Sequence, residues 1–558
     1  MSDKMTGSKS LIQSMINQGI KYVFGVPGAK VDQLFEDLKY NDDPKAPQLI
    51  VTRHEQNAAF MAQGIGRLTG KPGVAATTSG PGVSNLITGL LTATSEADPV
   101  IAIGGQVPRD DVARLTHQSI PSQAIMSSVT KTSVEIQDSN NVSEAFTNAY
   151  QAAVAPKAGA TFVSIPGDVL GGESDRPVIE KVQEPVKSTA DQASVEKIVA
   201  KIKAAKMPVI LAGMRASRPE NADAIKKFLS NLAVPVVETF QGAGIISKEL
   251  EGNYFGRVGL FRNQIGDAIL RESDLVITVG YDPVEYEARF WNADHKSEIV
   301  SIDEIAPEIS FDYQPEMTIQ ADIAKTFDQL AEQVAGTEPL ASNVEKKLDD
   351  LRSRFDEGTI ETSPAKDGFV HPLEVVDALQ SETTEDTIVT VDVGSFYIWM
   401  ARYFRSYKPR HLLFSNGMQT LGVSLPWAIS AALEFPEKPV VSVSGDGGFL
   451  FSGAELETAV RLNLNIVQVI FNDGYYDMVK FQEVAKYGKD AGVTLGKVDF
   501  AQYAESFGAH GHTATTKEEL ISALKAAKSE DGPSVIDVPV DYSDNIKLKS
   551  TLLDDILN

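Results

Sequence analysis

The chain contains no cysteine in 558 residues, which excludes a disulfide, a thiolate nucleophile and any Cys-ligated metal. It is also short of positive charge. Its 51 Lys and Arg stand against 76 Asp and Glu, a formal net charge of −25, which is a poor match to nucleic acid or an anionic membrane. No apolar run approaches the ~18 residues needed to cross a bilayer. The opening segment MSDKMTGSKSLIQSMINQG lacks the apolar centre of a secretory signal. Low-complexity tracts and short-period repeats are missing as well. These absences set the expectation of a cytoplasmic protein with neither nucleic acid nor membrane as partner. What remains is a globular composition, 42% hydrophobic and 23% charged. The length is too great for one core, and about three or four domains are expected.

Two polar stretches read as joints: Gln183 to Ser194, and Gly336 to Asp367, which includes a charged helix over Glu345 to Phe355. They divide the chain into expected domains at 1–185, 190–345 and 365–558. Each part alternates apolar strands with helical patterns. The first shows strands at Tyr22-Val23-Phe24, Leu49-Ile50-Val51, Val74 to Thr78, Val100 to Ile103 and Thr161 to Ile165. The second shows them at Val209 to Ala212, Val234 to Val237, Leu275 to Val279 and Ile299 to Ile302. The third shows them at Thr387 to Val391, Val440 to Ser444, Ile466 to Phe471 and Ser534 to Val538. The fold class implied is α/β, with three doubly wound parallel sheets.

The densest chemical signal lies between Val440 and Tyr476. One apolar run breaks at Gly445-Asp446-Gly447-Gly448, a helical segment follows, and a second run breaks at Asn472-Asp473-Gly474. This is a βαβ unit with an acidic turn at the carboxyl end of each strand, where open α/β sheets bind ligands. Glycines let the backbone approach an oxyanion, and Asp446 and Asp473 offer hard oxygen ligands. Mg²⁺ is usually held by one or two carboxylates plus substrate phosphates, so the pair asks for a magnesium–diphosphate ligand. A Gly-Asp-Gly turn standing alone is more often plain loop punctuation; the second acidic turn changes that balance.

A second signal follows the strand Leu49-Ile50-Val51. On a helix Glu55 shares a face with Ala58, Ala59, Ala62 and Gly66, small residues suited to close packing. That face would carry Glu55 into a dry location and raise its pKa. A glutamate opening a helix also simply complements the macrodipole, which explains most such residues.

At these residues the chain resembles the thiamine diphosphate enzymes. The two acidic turns are similar to that family's metal signature, which implies Asp446, Asp473 and the main-chain carbonyl of Tyr475 as Mg²⁺ ligands. Asp473 stands where many members carry Asn, adding a negative charge. The run RHEQNAAFMAQGIGRLTG resembles the family's pyrimidine-binding segment, and there Glu55 would bond the aminopyrimidine and promote formation of the ylid. Matches continue through PGAKVDQLF, TTSGPGVSNLITGL, HQSIPS, SIPGDV, DVGSFYIWMARY and SNGMQTLGVSLPWAI, from Phe24 to Pro539. The architecture implied is that of the pyruvate oxidase and decarboxylase relatives, with a pyrimidine domain, a central domain and a diphosphate domain.

By position the resemblance places Gly394, Ser395, Gly445, Asp446, Gly447, Gly448 and Met478 around the cofactor. It puts Leu421 where a bulky apolar residue wedges it into a bent shape, with ordinary core as the lesser alternative for a leucine there. Gln419 is implied as a contact to pyruvate, Gln118 as a glutamine reaching the site from a partner subunit, and Lys30 as a cation toward the substrate carboxylate. Each of these three could also be a solvated surface residue. The family binds its cofactor between subunits, so the expected state is a homodimer at minimum, with a homotetramer favoured and no regulatory subunit.

The nearest resemblance is to acetolactate synthases of the catabolic, pyruvate-consuming type, which implies condensation of two pyruvates into 2-acetolactate plus CO₂ through a hydroxyethyl-thiamine diphosphate intermediate, in the fermentative acetoin and butanediol pathway. A thiamine-dependent decarboxylase or oxidase is the alternative. FAD-dependent biosynthetic relatives carry Arg-Phe-Asp-Asp-Arg after the strand matching Leu275 to Val279. This chain reads Gly280-Tyr281-Asp282-Pro283-Val284-Glu285-Tyr286, so FAD is not expected. Those relatives also carry a Trp that favours 2-ketobutyrate, where this chain has Gln482 after Met478-Val479.

Overall fold

The computed structural model describes residues 4–260, 264–336, 342–357 and 362–550. Three six-stranded sheets follow one another along the chain, and their strand pairings are all parallel. The first runs, in spatial order, Gln48–Val51, Tyr22–Val26, Gly73–Thr77, Val100–Gln106, Ala160–Pro166, Thr132–Glu135. The third runs Leu412–Phe414, Ile388–Val391, Val440–Gly445, Ile466–Asn472, Ser534–Pro539, His510–Thr513. Numbered along the chain within each sheet, both read 2-1-3-4-6-5. The middle sheet, Tyr254–Val258, Val236–Thr239, Pro208–Ala212, Leu275–Val279, Glu298–Asp303, Met317–Gln320, reads 3-2-1-4-5-6, the order of doubly wound dinucleotide-binding sheets.

Helices cover both faces of each sheet, which is why the inner strands are apolar without alternation: Val100–Gln106 and Ala160–Pro166 are buried at every position. The middle sheet has a separate core on each face. One face of the first sheet and one face of the third instead share a single core. It is sealed by the helix Glu55–Thr69 lying on the helix Ser424–Glu434. A methyl group on Gly64 would come within 2.9 Å of Ser430, whose hydroxyl donates to the Met61 carbonyl at 2.8 Å. The approach of these helices therefore depends on Gly64, whereas the small-residue face seen in the sequence packs elsewhere, Ala59 against Gly89 and Gly66 against Pro99.

All thirteen strands expected from the sequence are present, and seven more among the described residues were not anticipated: the antiparallel pair Met5–Thr6 and Glu173–Ser174, and in the six-stranded sheets Thr132–Glu135, Tyr254–Val258, Met317–Gln320, Leu412–Phe414 and His510–Thr513. Each is an edge strand. Thr132–Glu135 and His510–Thr513 are half-solvated and carry little hydrophobic signal, whereas Tyr254–Val258 and Leu412–Phe414 are buried along their whole length. The first joint has no regular structure until the helix Gln192–Ala204, whose Asp191 caps the Ser194 N–H. The charged helix in the second joint spans Ser342–Glu357, while 337–341 and 358–361 lie outside the described residues.

Candidate active site

A cleft of about 330 Å³ opens at the carboxyl ends of the strands Ile388–Val391, Val440–Gly445 and Ile466–Asn472. The first two of these are the third sheet's strands 1 and 3, so the cleft sits at its topological switch point. Gly394, Ser395, Gln419, Leu421, Gly445, Asp446, Gly447, Gly448, Asp473, Tyr475, Met478 and Gln482 all line it.

Two helices begin at this cleft, Ser395–Tyr403 behind Gly394 and Asp446–Ser452 behind Gly445, and neither N-cap residue supplies a side-chain hydrogen bond. At the second start Asp446 itself takes the Gly447 N–H, and an anion can be met at helix starts of this kind by the N–H groups that remain. A methyl on Gly448 would lie 2.8 Å from the Asp392 carboxylate, so no side chain can fill the floor there. Asp392 is fully buried and binds the Gly422 N–H at 3.0 Å and the Ser424 N–H at 3.1 Å, joining the turn after one strand to the turn that carries Leu421.

Asp446 links the two acidic turns, accepting from Gly447 N at 2.8 Å and Gly474 N at 2.8 Å. Gly474 has φ 77°, a left-handed turn that suits glycine. Burial pushes the Asp446 carboxyl up to about 6. Burial, reinforced by Asp477 and Asp446, pushes Asp473 up to about 8. Crowded carboxylates in a dry cleft retain protons unless a cation takes their place. Among the described residues no three His, Cys, Asp or Glu side chains form a complete metal centre. A cation here would need the two carboxylates plus main-chain and ligand oxygens, the donor set Mg²⁺ accepts. The glycine floor, the uncapped helix starts and the carboxylate pair together fit a metal-bound diphosphate.

Leu421 is half-buried and faces the cleft, so it is not ordinary core. Gln419 is exposed and held at φ 50°, and Gln482 is exposed at the rim. Left-handed non-glycine residues such as Gln419 persist where surrounding structure imposes them, often at functional sites. The cleft residues Phe396, Asp477 and Tyr542 were not singled out from the sequence, nor was Asp392, buried beneath the cleft. Asp477 accepts from Ser395 Oγ at 2.6 Å and from Asn545 Nδ2 at 2.5 Å, tying the start of one helix to the start of another and to the turn at Ser543–Ile546. An Asp opening a helix four residues past an acidic turn was the available signal.

Lys30, Glu55 and Gln118 do not line this cleft. They gather on the first sheet's carboxyl edge around the segment 78–85. Lys30 N donates to Thr78 Oγ1 at 3.4 Å, Gln118 (φ 61°) packs over Gly80, and Asn85 Nδ2 donates to Glu55 at 3.0 Å. Ala58, Ala59, Ala62 and Gly66 are buried as expected, but Glu55 is half-exposed. The expected dry location is absent within the described chain because Glu55 occupies the first turn of its helix, at the sheet edge, where its own chain covers it only in part.

The middle sheet's switch point is built differently. Arg215, 4% exposed, fills it, with Nη2 2.7 Å from Asp303 and Nη1 3.1 Å from Asp282, and Nη2 also donates to the Tyr281 carbonyl at 2.7 Å. Lys157 reaches Asp282 at 2.6 Å. Glu285 accepts from Met214 N at 2.9 Å and Gln241 N at 3.1 Å.

Comparison with known proteins agrees with this arrangement. Residues 5–126 match the N-terminal TPP binding domain of thiamine pyrophosphate enzymes, 195–330 their central domain and 392–538 their C-terminal TPP binding domain. The chain is 48% identical over 550 residues to the acetolactate synthase of Bacillus subtilis, covering 99% of this chain and 96% of that protein. It is 43% identical over 546 residues to the catabolic acetolactate synthase of Raoultella terrigena, covering 98% and 97%. A probable acetolactate synthase large subunit of Methanocaldococcus jannaschii is 30% identical over 563 residues, covering 98% and 93%. With the diphosphate-shaped cleft and the full-length likeness side by side, this chain belongs to the acetolactate synthase family of thiamine pyrophosphate enzymes.

Proposed function

We propose that the chain condenses two pyruvate molecules into 2-acetolactate and CO₂, as an acetolactate synthase of the catabolic type. The observation that carries this reading is the single cleft lined by Gly394, Ser395, Leu421, Asp446 and Asp473, in a chain similar throughout to acetolactate synthases. Thiamine diphosphate, when bound, supplies a carbon nucleophile and an electron sink for loss of CO₂. Asp446 and Asp473 hold Mg²⁺ with the Tyr475 carbonyl, and the helix starts at Ser395 and Asp446 receive the diphosphate oxygens. Leu421, which lines the cleft, would pack against the bound cofactor. Gln419 and Gln482 line the open end, where pyruvate and then the acceptor keto acid would sit.

Glu55 supplies the proton relay on the pyrimidine. It lies outside the cleft of its own chain, so a second copy must bring its Glu55, Gln118 and Lys30 to that cleft, and the working unit is at least a homodimer, with a homotetramer favoured and no regulatory subunit. FAD plays no part: the middle switch point is filled by Arg215 and its carboxylates, and the biosynthetic motif is replaced by Gly280 to Tyr286. A cytoplasmic site of action fits a chain in which no described helix is long and apolar enough to cross a membrane.

The test is product analysis from pyruvate with thiamine diphosphate and Mg²⁺. Acetolactate, converted to acetoin by acid, is expected. Acetaldehyde as the main product would instead indicate a decarboxylase, and acetyl phosphate an oxidase.

A further inference from the structure

Gln419 sits on a turn, Ser415 to Thr420, that has no regular secondary structure and is held from outside its own domain. The principal anchor is Glu96 of the first domain, 1% exposed. One oxygen, Oε1, accepts from Ser415 Oγ at 2.6 Å, Gly417 N at 3.2 Å and Met418 N at 3.4 Å. Its other oxygen is held by the Arg67 guanidinium and by Gln63 Nε2 at 3.3 Å. Arg67 is itself fixed by Asp98, with Nη2 to Oδ2 at 2.7 Å, and its Nη1 donates to the Phe414 carbonyl immediately before the turn. A methyl on Gly417 would lie 3.0 Å from Glu96 Cγ, so the turn rests directly against the glutamate. Thr92, one turn earlier on the first-domain helix, places its hydroxyl 2.9 Å from that of Thr420, and Thr420 N returns to Ser415 Oγ at 3.2 Å. On the far side Asn416 takes a hydrogen bond from Tyr397 at 2.9 Å and donates to the Glu285 carbonyl at 2.9 Å.

We infer that Glu96 is a positioning residue for Gln419: through Ser415, Gly417 and Met418 it imposes the turn geometry that holds Gln419 at φ 50° against the cleft. No described neighbour could replace it, because the turn's donors converge on one carboxylate oxygen. The first domain of each chain thereby shapes the substrate end of the cleft in its own third domain, while its Glu55 serves elsewhere. A carboxylate is suited to this role because it accepts three bonds on one oxygen while keeping the other for a buried guanidinium. The inference rests on the reading of Gln419 as a pyruvate contact.

The experiment is a double-mutant cycle of Glu96→Gln with Gln419→Ala, measuring kcat and KM for pyruvate and, separately, the affinity of the protein for thiamine diphosphate by fluorescence titration with Mg²⁺. A misplaced contact can cost about 100-fold, so Glu96→Gln is expected to lower kcat/KM by roughly 10- to 100-fold. Cofactor affinity should stay within about twofold of wild type, since the residues assigned to the metal and the diphosphate, Gly394, Ser395, Asp446 and Asp473, lie on other turns. In the Gln419→Ala background Glu96→Gln should add little, because residues acting through one contact are not additive. Ser415→Ala, which spares the Arg67–Glu96 pair, carries the same cycle should Glu96→Gln fail to fold. Wild-type kcat/KM in Glu96→Gln, or full multiplication of the two losses, would overturn the inference. Wild-type kinetics in Gln419→Ala would overturn it too, while acetolactate formation, scored by product, would stand independently.

Discussion

The switch points of the third and middle sheets make opposite use of buried carboxylates. In the middle sheet the protein provides the cation itself. Burial favours a proton on Asp282, yet Arg215 and Lys157 hold its carboxyl below the usual carboxylate range. In the third sheet no described Lys or Arg forms an ion pair with Asp446 or Asp473, and they rise to about 6 and about 8. Sheet topology makes a crevice in both places, but in the middle sheet Arg215 occupies the space between the strand ends, even though the strand order is that of a dinucleotide-binding sheet.

The largest effect should come from extending the contrast to the first sheet, whose carboxyl edge carries Glu55. Glu55→Gln keeps the shape and removes the acid–base function, so turnover should fall about 10²- to 10⁴-fold. Cofactor affinity should change little. Exchange of the cofactor C2 proton, followed by quenched-flow NMR, reads the step directly; unchanged exchange would remove Glu55 from the chemistry.

Next come paired substitutions in the two crevices. Asp446→Ala or Asp473→Ala should weaken Mg²⁺-dependent binding of thiamine diphosphate, with excess metal restoring the milder variant, and leave the fold intact. Asp282→Ala should do the reverse. Breaking a buried pair typically costs about 3–5 kcal/mol, so its melting temperature should drop while cofactor affinity per folded molecule is kept. Fresh wild-type protein should also lack the flavin absorption near ~450 nm that the ring itself carries. A stoichiometric flavin band, or a cofactor defect in Asp282→Ala, would dissolve the distinction between the two crevices.

The same contrast explains what could be read in advance. The inner strands and the cleft turns were legible because both depend on local pattern: unbroken apolar runs, and glycines flanking acids at strand ends. The edge strands Thr132–Glu135 and His510–Thr513 were not, since they are defined by a neighbour to pair with rather than by their own hydrophobicity, whereas the apolar edge strand Gln48–Val51 was read correctly. Arg215 was missed because its partners, Asp282 and Asp303, are far away in the chain and close only in the fold. Asp392 was quoted within a motif but not recognised as the residue that ties two turns together. The half-exposed Glu55 shows the opposite error: periodicity gave the correct small-residue face, but burial at a helix's first turn depends on what lies beyond it.

Glu285 sharpens the comparison within the middle crevice, because it has no cation of its own. Burial pushes its carboxyl up to about 7, against an ordinary 4.5. A folded-state pKa above the unfolded value means the folded state binds the proton more tightly. The stabilisation is complete below about pH 4.5 and lost as pH rises through about 7. At 1.36 kcal/mol per unit this amounts to about 3 kcal/mol. Melting temperature should fall more steeply between pH 5 and 7.5 in wild type than in Glu285→Gln, when both are followed by calorimetry (the window runs, roughly, between the two pKa values). Equal slopes would mean that Glu285 stays ionised throughout, as Asp282 does.

The smallest effect lies at the rim of the third crevice, where the external ligand meets solvent. Gln482 is exposed on the helix Asp477–Tyr487, at the wide end of the cleft. Discrimination by one methylene is limited to about 1–3 kcal/mol, or roughly 10–200-fold. Wild type should make mainly acetolactate from mixed pyruvate and 2-ketobutyrate. Gln482→Trp should move the ratio toward acetohydroxybutyrate by adding an apolar surface for the extra methyl. The shift should stop short of complete, because Val479 and Met478 form the same wall and are unchanged. Both products must be resolved from one competition reaction, since separate rates mix acceptor choice with the first decarboxylation. A wild type that already prefers 2-ketobutyrate would show that acceptor choice is made deeper in the cleft, on the Gln419 turn rather than at the rim.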